Sequence, residues 1–91
     1  MNKAELTVAL VKKTGFTKRD AEKALGSLTE VITEALADGE RVQIVGFGSF
    51  EVRNRPARVA RNPRTGEQIN INASKAPVFK AGKALKDSVN N

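Results

Sequence analysis

The side chains with the clearest chemical potential in this sequence are the guanidinium groups of one short segment. Residues 53–66 contain five arginines and no acidic residue, and Val59 is the one large apolar side chain among them. Guanidinium groups form forked hydrogen bonds with phosphate oxygens and stay charged at any relevant pH. They also suit the electronegative minor groove of duplex DNA. The segment therefore indicates a surface that binds a polyanion, and its candidate contacts are Arg53, Arg55, Arg58, Arg61 and Arg64.

Pro63 lies between Asn62 and Arg64, at the tip of the turn that the run Asn-Pro-Arg-Thr-Gly predicts. A rigid apolar ring without an N–H group can act as a wedge between stacked base pairs, as in minor-groove architectural proteins. Asn-Pro and Thr-Gly are also ordinary turn residues. The residues alone leave both interpretations of Pro63 open.

Two further groups of side chains have two interpretations each. Four lysines near the end of the chain are candidates for contacts with flanking phosphates or for a solvated helix face: Lys75, Lys80, Lys83 and Lys86. Three phenylalanines could stack on bases, but they alternate with polar residues and lie beside glycines. This pattern favours core or dimer packing for Phe47, Phe50 and Phe79.

The net charge of +6 is distributed unevenly along the chain. Residues 1–40 contain six bases and seven acids, whereas residues 41–91 contain ten bases and three acids. Such asymmetry favours a localised polyanion-binding surface. The absence of histidine and cysteine excludes a disulfide, a His or Cys zinc site, and a His or Cys base or nucleophile. We therefore expect no cofactor, no metal site, no small-molecule substrate and no enzyme activity.

Local signals predict two N-terminal helices joined by a short turn. Asn2 with Glu5 three residues later resembles a capping box, and Gly15 is a C-terminal stop for a helix from Lys3 to about Thr14. Thr17 opens the second helix, which ends at Asp38-Gly39. Its apolar residues recur at helical spacing: Ala21, Ala24, Leu25, Leu28, Val31, Ile32, Ala35 and Leu36.

After Gly39 the apolar period changes to two, which is typical of strands. Val42 and Ile44 alternate before Gly46-Phe47-Gly48, and alternation resumes at Phe50 and again over residues 68–75. The arginine segment would then form the arms of a β-ribbon that reaches roughly 30 Å at about 3.3 Å per residue. Such a ribbon is marginally stable alone, so we expect the arm to be mobile in the free protein and to become ordered on a partner. The alternative is that the segment is a disordered basic loop. Pro77 marks an edge strand or a strand start.

These elements predict an α+β fold: a helical hairpin, a three-stranded antiparallel sheet with an extended β-ribbon arm, and a short C-terminal helix. We expect a single domain over residues 1–91. It would comprise a helical dimerisation base (about 1–40), sheet and arm (about 41–80, with the arm about 53–75) and a helix at about 83–90. A core with four Phe and no Trp or Tyr favours oligomerisation as the source of stability. Neither a secretory signal nor a membrane span is evident, which indicates a cytoplasmic protein without a membrane partner.

Several spaced motifs resemble the bacterial family of HU and integration host factor, the histone-like DNA-binding proteins, over essentially the whole chain. The opening Met1-Asn2-Lys3-x-Glu5-Leu6 and the segment Val-Gly-Phe-Gly-Ser-Phe at 45–50 resemble the family's start and its hinge between strands. The arm signature is Gly46-Phe47-x2-Phe50-x4-Arg55-x2-Arg58-x-Ala60-x-Asn62-Pro63-x-Thr65. The ending matches as Phe79-Lys80-x-Gly82-Lys83-x-Leu85-Lys86-Asp87.

The resemblance implies an intertwined homodimer whose two arms wrap the minor groove of double-stranded DNA, with Pro63 intercalating. It adds Asn62 and Thr65 to the arginines, Pro63 and the four lysines as DNA contacts. The expected dimer core is Leu28, Ile32, Leu36, Ile44, Phe47, Phe50 and Phe79. The implied function is compaction of the nucleoid, with binding that shows little sequence preference and favours bent, nicked or gapped DNA.

Two residues depart from the family pattern, and two other functions compete. Many members have glycine at the position of Ala60, and alanine there would stiffen the arm. Members often have proline or alanine at the position of Asn72, and asparagine there would either add a ladder hydrogen bond or loosen the packing of the strand. A site-preferring subunit like integration host factor is the closest alternative. An RNA-binding protein is a weaker one, because stacking platforms of Tyr or Trp are missing.

Overall fold

The computed structural model of the chain describes residues 1–90. Within them the helices are α1 (Lys3–Thr14), α2 (Lys18–Ala37) and α3 (Lys83–Val89), and the strands are β1 (Val42–Ile44), β2 (Gly48–Arg55), β3 (Arg58–Arg61), β4 (Gln68–Ile71) and β5 (Ser74–Ala81). This order confirms the predicted α+β class. The chain divides into two compact units after Glu34, and all the strands and α3 belong to the second unit.

The helical boundaries lie where the capping signals predicted them. The Asn2 side-chain Oδ1 accepts a hydrogen bond from the Glu5 N–H at 2.8 Å. Gly15, with a φ of 77°, closes α1 and donates its N–H to the Val11 carbonyl at 2.8 Å. The Thr17 hydroxyl accepts from the Asp20 N–H at 3.1 Å. These bonds satisfy amide groups that have no partner inside a helix, which is why the caps determine where each helix begins and ends.

The main sheet has the strand order β1-β2-β5, and all its pairs are antiparallel. Partners that lie opposite each other share one face, and the faces alternate along each strand. One face therefore carries the pair Phe50–Phe79, while the other carries Ser49–Lys80 and Glu51–Val78. Arg53 and Arg55 follow Glu51 on this second face. We call it the polar face of the sheet.

The arm is a separate two-stranded sheet in which β3 pairs with β4 from Arg58–Ile71 to Arg61–Gln68. The prediction of one alternating strand over residues 68–75 is wrong, because β4 ends at Ile71 and β5 begins at Ser74. Asn72 lies in this gap, so it does not add a ladder bond. Pro77 does not start a strand; it lies within β5, which confirms the edge-strand alternative. Since β5 pairs with β2 alone in this sheet, a missing N–H is tolerated on its free side.

Very little apolar surface is buried in the described part of the chain. Ala21 is its one buried hydrophobic residue, and Thr7 and Ser49 are its buried polar ones. Leu28 and Val31 are 52% and 61% exposed, and Val45 in the loop between β1 and β2 is 92% exposed. Leu28 and Val31 lie three positions apart on α2, so their side chains are neighbours on one face of the helix. Exposed apolar patches on a protein often mark an interaction surface.

The phenylalanines of the sheet form one cluster. The ring centroid of Phe79 lies 5.3 Å from that of Phe47 and 4.8 Å from that of Phe50, with tilted planes. Phe79 and Phe47 nevertheless remain 41% and 43% exposed. Aromatic pairs at these separations attract each other. The predicted packing role is consistent with this contact, and the open side of the cluster is available to a further apolar surface.

Gly48 at the start of β2 has no room for a side chain. A Cβ there would lie 2.5 Å from the Lys80 carbonyl oxygen and 2.6 Å from the Phe79 ring. We expect Gly48→Ala to lower the free energy of unfolding by about 1–3 kcal/mol, because overpacking forces the strands or the ring to move. Urea unfolding at one fixed protein concentration measures this, since oligomer stability depends on concentration.

Gly26→Ala is the matched control, because a Cβ at Gly26 meets no atom within 4 Å. Gly26 lies inside α2, where alanine stabilises a helix by about 0.5–1 kcal/mol relative to glycine. We therefore expect the free energy of unfolding to fall in Gly48→Ala and to rise in Gly26→Ala. Unchanged stability in Gly48→Ala would contradict the close approach of β2 and β5.

Candidate nucleic-acid interface

The tip of the arm is an ordered turn organised by Asn62. The side-chain Oδ1 of Asn62 accepts from the Arg64 N–H at 2.9 Å, and its carbonyl oxygen accepts from the Gly66 N–H at 2.8 Å. Its own N–H donates to the Glu67 carbonyl at 2.9 Å. Gly66 has a φ of 76°, in the left-handed region that favours glycine. Asn62 was expected to contact DNA. In the structure its side chain and backbone hold the turn itself.

Pro63 lies at the exposed end of this turn, together with the exposed Arg64 and Thr65. The Thr65 hydroxyl accepts from the Glu67 N–H at 3.3 Å. Because the turn is held by these bonds, the proline ring is presented on a defined backbone rather than on a loose loop. This geometry is compatible with the wedge interpretation, which requires a rigid apolar tip.

The arm carries arginines on both of its faces. Arg58 and Ala60 share one face of β3, while Val59 and Arg61 share the other, because side chains alternate along a strand. The partners on β4 follow the same division: Ile71 lies opposite Arg58, and Gln68 lies opposite Arg61. A ribbon with arginines on both faces can bind the two walls of a groove at the same time.

A groove of about 480 Å³ lies at the root of the arm, where the ribbon leaves the main sheet. Three of the predicted arginines line this groove, and no acidic side chain does. The complete lining is Arg53, Arg55, Pro56, Arg58, Ile71, Asn72 and Ser74. The structure thus brings Arg53, Arg55 and Arg58 together. Asn54 and Lys75 pair with each other on the alternate positions of the same strands. Both line a second, adjoining groove, to which Arg55, Pro56 and Ser74 also contribute.

Glu51 introduces a negative charge into the polar face of the sheet. Its Oε1 lies 3.1 Å from the Arg41 Nε, and its Oε2 lies 3.3 Å from the Lys80 Nζ. The Glu51 side chain is only 24% exposed, whereas those of the two bases are more than half exposed. Lys80, a predicted DNA contact, is therefore paired with a carboxylate.

Sequence analysis missed both Glu51 and Arg41 as functional candidates. The signal was present in the register of the β1–β2 hairpin: Val42 lies opposite Phe50, which places Arg41 opposite Glu51. Opposite charges at such positions stabilise a strand pair modestly. The other two predicted lysines, Lys83 and Lys86, are exposed on α3.

The helical unit contains an apolar groove between its two helices. The groove is lined by apolar side chains from α1, α2 and the turn between them, including Leu6, Leu10, Phe16, Leu25 and Leu28. Leu6, Phe16 and Leu28 are each more than 40% exposed. Ile32 and Leu36 are half-buried. Among the other predicted dimer-core residues, Leu28, Ile44, Phe47 and Phe79 are exposed, and Phe50 is half-buried.

Residues 1–90 contain no helix that is both long and apolar enough to span a bilayer. The same residues contain no group of three or more His, Cys, Asp or Glu side chains placed to bind a metal ion.

Comparison with known proteins agrees with these features. The model of the family "Bacterial DNA-binding protein" matches residues 1–90. The DNA-binding protein HU of Clostridium pasteurianum is 60% identical over 90 residues, which are 99% of this chain and 99% of the relative. That of Lactococcus lactis is 58% identical over 88 residues, which are 97% of each chain.

Solved structures show the same fold. The cocrystal structure of Anabaena HU with DNA superimposes with a TM-score of 0.89 at 46% identity, covering 98% of this chain and 97% of the other. HU from Thermotoga maritima superimposes with a TM-score of 0.69 at 44% identity, covering 98% of both chains. The structural likeness extends over nearly the entire length of each protein.

The ion pairs of Glu51 lead to a prediction about the affinity for duplex DNA, the polyanion that the sequence indicates. Glu51→Gln removes the carboxylate that holds Lys80 and Arg41, so both bases become available to phosphates. We expect tighter binding and a log–log salt slope steeper by about 0.9 for each additional phosphate neutralised. Fluorescence anisotropy at a series of salt concentrations measures both quantities.

Glu22→Gln on α2 is the control, because it makes the same change of charge outside the polar face. We expect its salt slope to match the parent's. Weaker binding by Glu51→Gln with an unchanged slope would show that Glu51 holds the two bases in their binding positions instead of withholding them.

Proposed function

Because the chain belongs to the bacterial DNA-binding protein family that includes the HU proteins, we propose that it is an architectural protein that binds and bends duplex DNA with little sequence preference. The observation that carries this proposal is the arm. It presents arginines on both faces of a two-stranded ribbon and Pro63 at an ordered tip. The proposed role is binding without catalysis, in compaction of the nucleoid. The family model spans residues 1–90, which supports a single DNA-binding domain.

The binding would depend mainly on phosphate contacts. Arg53, Arg55, Arg58, Arg61 and Arg64 bind backbone phosphates and groove edges with forked hydrogen bonds, while Lys75, Lys83 and Lys86 bind flanking phosphates. Contacts of this kind carry no direct sequence information. Because guanidinium and ammonium groups displace counterions from DNA, affinity should fall steeply as salt rises.

The bending would come from the two tips. Each Pro63 inserts between base pairs and partly unstacks them, which kinks the duplex. Asn62 contributes by holding the start of the turn, and Thr65 contributes by accepting a hydrogen bond from the Glu67 N–H at its end. The unstacking energy is smaller where DNA is already nicked, gapped or bent. The protein should therefore favour such DNA over an intact straight duplex.

The active form would be a homodimer. Leu28, Val31 and Val45 are all more than half exposed in the single chain, and the apolar groove between α1 and α2 is open to solvent. Burying apolar surface contributes about 25 cal/mol per Å². A second copy would cover the proposed dimer core of Leu28, Ile32, Leu36, Ile44, Phe47, Phe50 and Phe79, and it would place two arms on one DNA molecule.

A subunit like integration host factor is the second candidate, since the same fold would support site preference and a different partner chain. The identities of 58% and 60% to proteins named HU favour the first candidate. Sedimentation equilibrium of the purified chain separates the two. A stable dimer of this chain alone supports HU-like behaviour, whereas a monomer would favour a heterodimer.

The proposed function is tested by titrating three DNA probes: an intact duplex, the same duplex with a gap, and an intact duplex of scrambled sequence. We expect the gapped probe to bind more tightly, because the energy of kinking is lower there. The two intact probes should bind equally. Strong discrimination between the intact sequences would contradict phosphate-dominated binding and support a site-preferring protein.

Pro63→Ala tests the wedge. Without the ring, the tip has nothing rigid to insert, so the DNA bend angle should decrease markedly, while affinity for intact duplex should fall less than tenfold. Energy transfer between dyes at the two ends of a duplex reports the angle at saturating protein. Pro77→Ala, a proline on the free edge of β5, serves as the control and should bend DNA as the parent does. Equal bend angles for Pro63→Ala and the parent would rule out intercalation.

A further inference from the structure

We propose that the interruption between the main sheet and the arm is a positioning device that exchanges the two faces of the ribbon. By this exchange Arg58 joins Arg53 and Arg55 in one cradle that binds backbone phosphate at the arm root. This inference rests on the proposed DNA binding and adds to it the feature that determines which arginines act together. We call the interruption the paired break; it consists of Pro56-Ala57 on one strand and Asn72-Ala73 on the other.

The paired break has equal length on both strands. The last pair of β2 and β5 is Arg55–Ser74, and the first pair of β3 and β4 is Arg58–Ile71. Two residues on each strand lie between these pairs and belong to neither ladder. The register therefore passes through the break unshifted, in contrast to an ordinary bulge, which inserts an extra residue into one strand alone.

Alternation through an unbroken ribbon would separate the arginines. Residues that are three apart in a strand lie on opposite faces, so Arg58 would face away from Arg55 and Arg53. In the structure all three line the same groove. Ser74 and Ile71, the cross-strand partners of Arg55 and Arg58, line it as well. This shared lining is the arrangement expected if the faces are exchanged between positions 55 and 58.

The backbone hydrogen bonds support this exchange independently. In an antiparallel pair, opposite residues that bond each other recur at every second position. On the main-sheet side of the break, the Gly82 N–H donates to the carbonyl of its opposite residue, Phe47, at 2.8 Å. On the arm side, the Asn62 N–H donates to the carbonyl of its opposite residue, Glu67, at 2.9 Å. Along the strand that runs from β2 into β3, the bonded positions are thus odd-numbered on the main-sheet side of the break and even-numbered on the arm side.

Pro56 accounts for where the exchange occurs. Position 56 would be a bonded position in the even-numbered pattern of the arm, and proline has no N–H to donate. In the odd-numbered pattern of the sheet the same position turns its nitrogen away from the partner strand, which proline tolerates. The ladder of the arm can therefore begin only after Pro56. The residues across from this point, Asn72 and Ala73, are exposed and free of the ladder.

The cradle that results fits a phosphate group. Arg53, Arg55 and Arg58 supply three guanidinium groups to one groove of about 480 Å³, and no carboxylate lines it. The hydroxyl-bearing Ser74 and the amide-bearing Asn72 are further polar side chains in the lining. Forked donors of this type match the oxygens of a phosphodiester. Arg61, on the opposite face of β3, remains outside the cradle.

The test compares three arm lengths, each with and without Arg58→Ala. The first protein is the full-length chain. The second lacks Ala57 and Asn72, one residue from each strand, which restores a continuous ladder while keeping Arg58 two positions after Arg55 and thus on its face. The third lacks the whole paired break, which restores the ladder but places Arg58 next to Arg55 and thus on the opposite face. Salt-dependent binding to an intact duplex is measured for all six.

We expect the effect of Arg58→Ala to depend on the face that Arg58 occupies, and not on the length of the arm as such. The salt slope should lose about 0.9, the value for one phosphate, in the full-length and the once-shortened proteins, and it should be unchanged in the twice-shortened one. In the twice-shortened protein Val59→Arg should restore the lost slope, because position 59 then occupies the cradle face. Restoration by a residue at a different position is an effect that a merely structural role of the break would not produce.

Several outcomes would overturn the inference. They are an equal effect of Arg58→Ala at all three lengths, a steady decline with length, and the absence of any effect in the full-length chain. Lys18→Ala on α2 controls for loss of a positive charge and should leave every slope unchanged. Circular dichroism confirms folding of each variant before titration. If the full-length parent fails to bind DNA, the proposed function fails. If it binds but the effect of Arg58→Ala does not follow the face that Arg58 occupies, only the positioning role fails.

Discussion

Incomplete burial of apolar side chains is the constraint on which most of this architecture depends. In the described chain Ala21 is the one buried hydrophobic residue, while Leu28, Val31 and Val45 remain mostly exposed. A chain of this length has too little interior to offset the conformational entropy lost on folding. The apolar surfaces of the helices and the phenylalanine cluster of the sheet therefore become useful only when a second apolar surface covers them. The proposed homodimer follows from this requirement.

The charges are distributed according to the same division of labour. The first half of the chain holds most of its acids, and the second half holds most of its bases. Acidic and basic residues on α1 and α2 keep exposed helix faces solvated without attracting DNA. The bases of the sheet and arm are concentrated where phosphate must be bound. Glu51 is the exception, because its pairing with Arg41 and Lys80 partly neutralises the polar face.

The arm is a short ribbon whose two ends are controlled by different residues. Four pairs between β3 and β4 are too few to stabilise a hairpin strongly in water. The tip is held by the hydrogen bonds of Asn62 and by the left-handed Gly66, whereas the root is determined by the missing N–H of Pro56. Between these two points the arginines gain their positions from the backbone alone. Contacts with DNA would supply the stabilisation that the isolated ribbon lacks.

The sequence by itself determined the features that depend on neighbouring residues. Caps at Asn2 and Thr17, the stop at Gly15 and the turn at 62–66 were predicted correctly, because each is set by side chains within a few positions of the backbone groups that they bind. The family resemblance extended the prediction to the arm as a whole. The tertiary structure alone decided which distant residues meet: that Lys80 pairs with Glu51, that Lys75 lines an adjoining groove instead of the one that holds Arg53, and that Arg58 shares the latter with Arg53 and Arg55. These relations depend on the paired break and on cross-strand register, in which a change of one position moves a side chain to the opposite face.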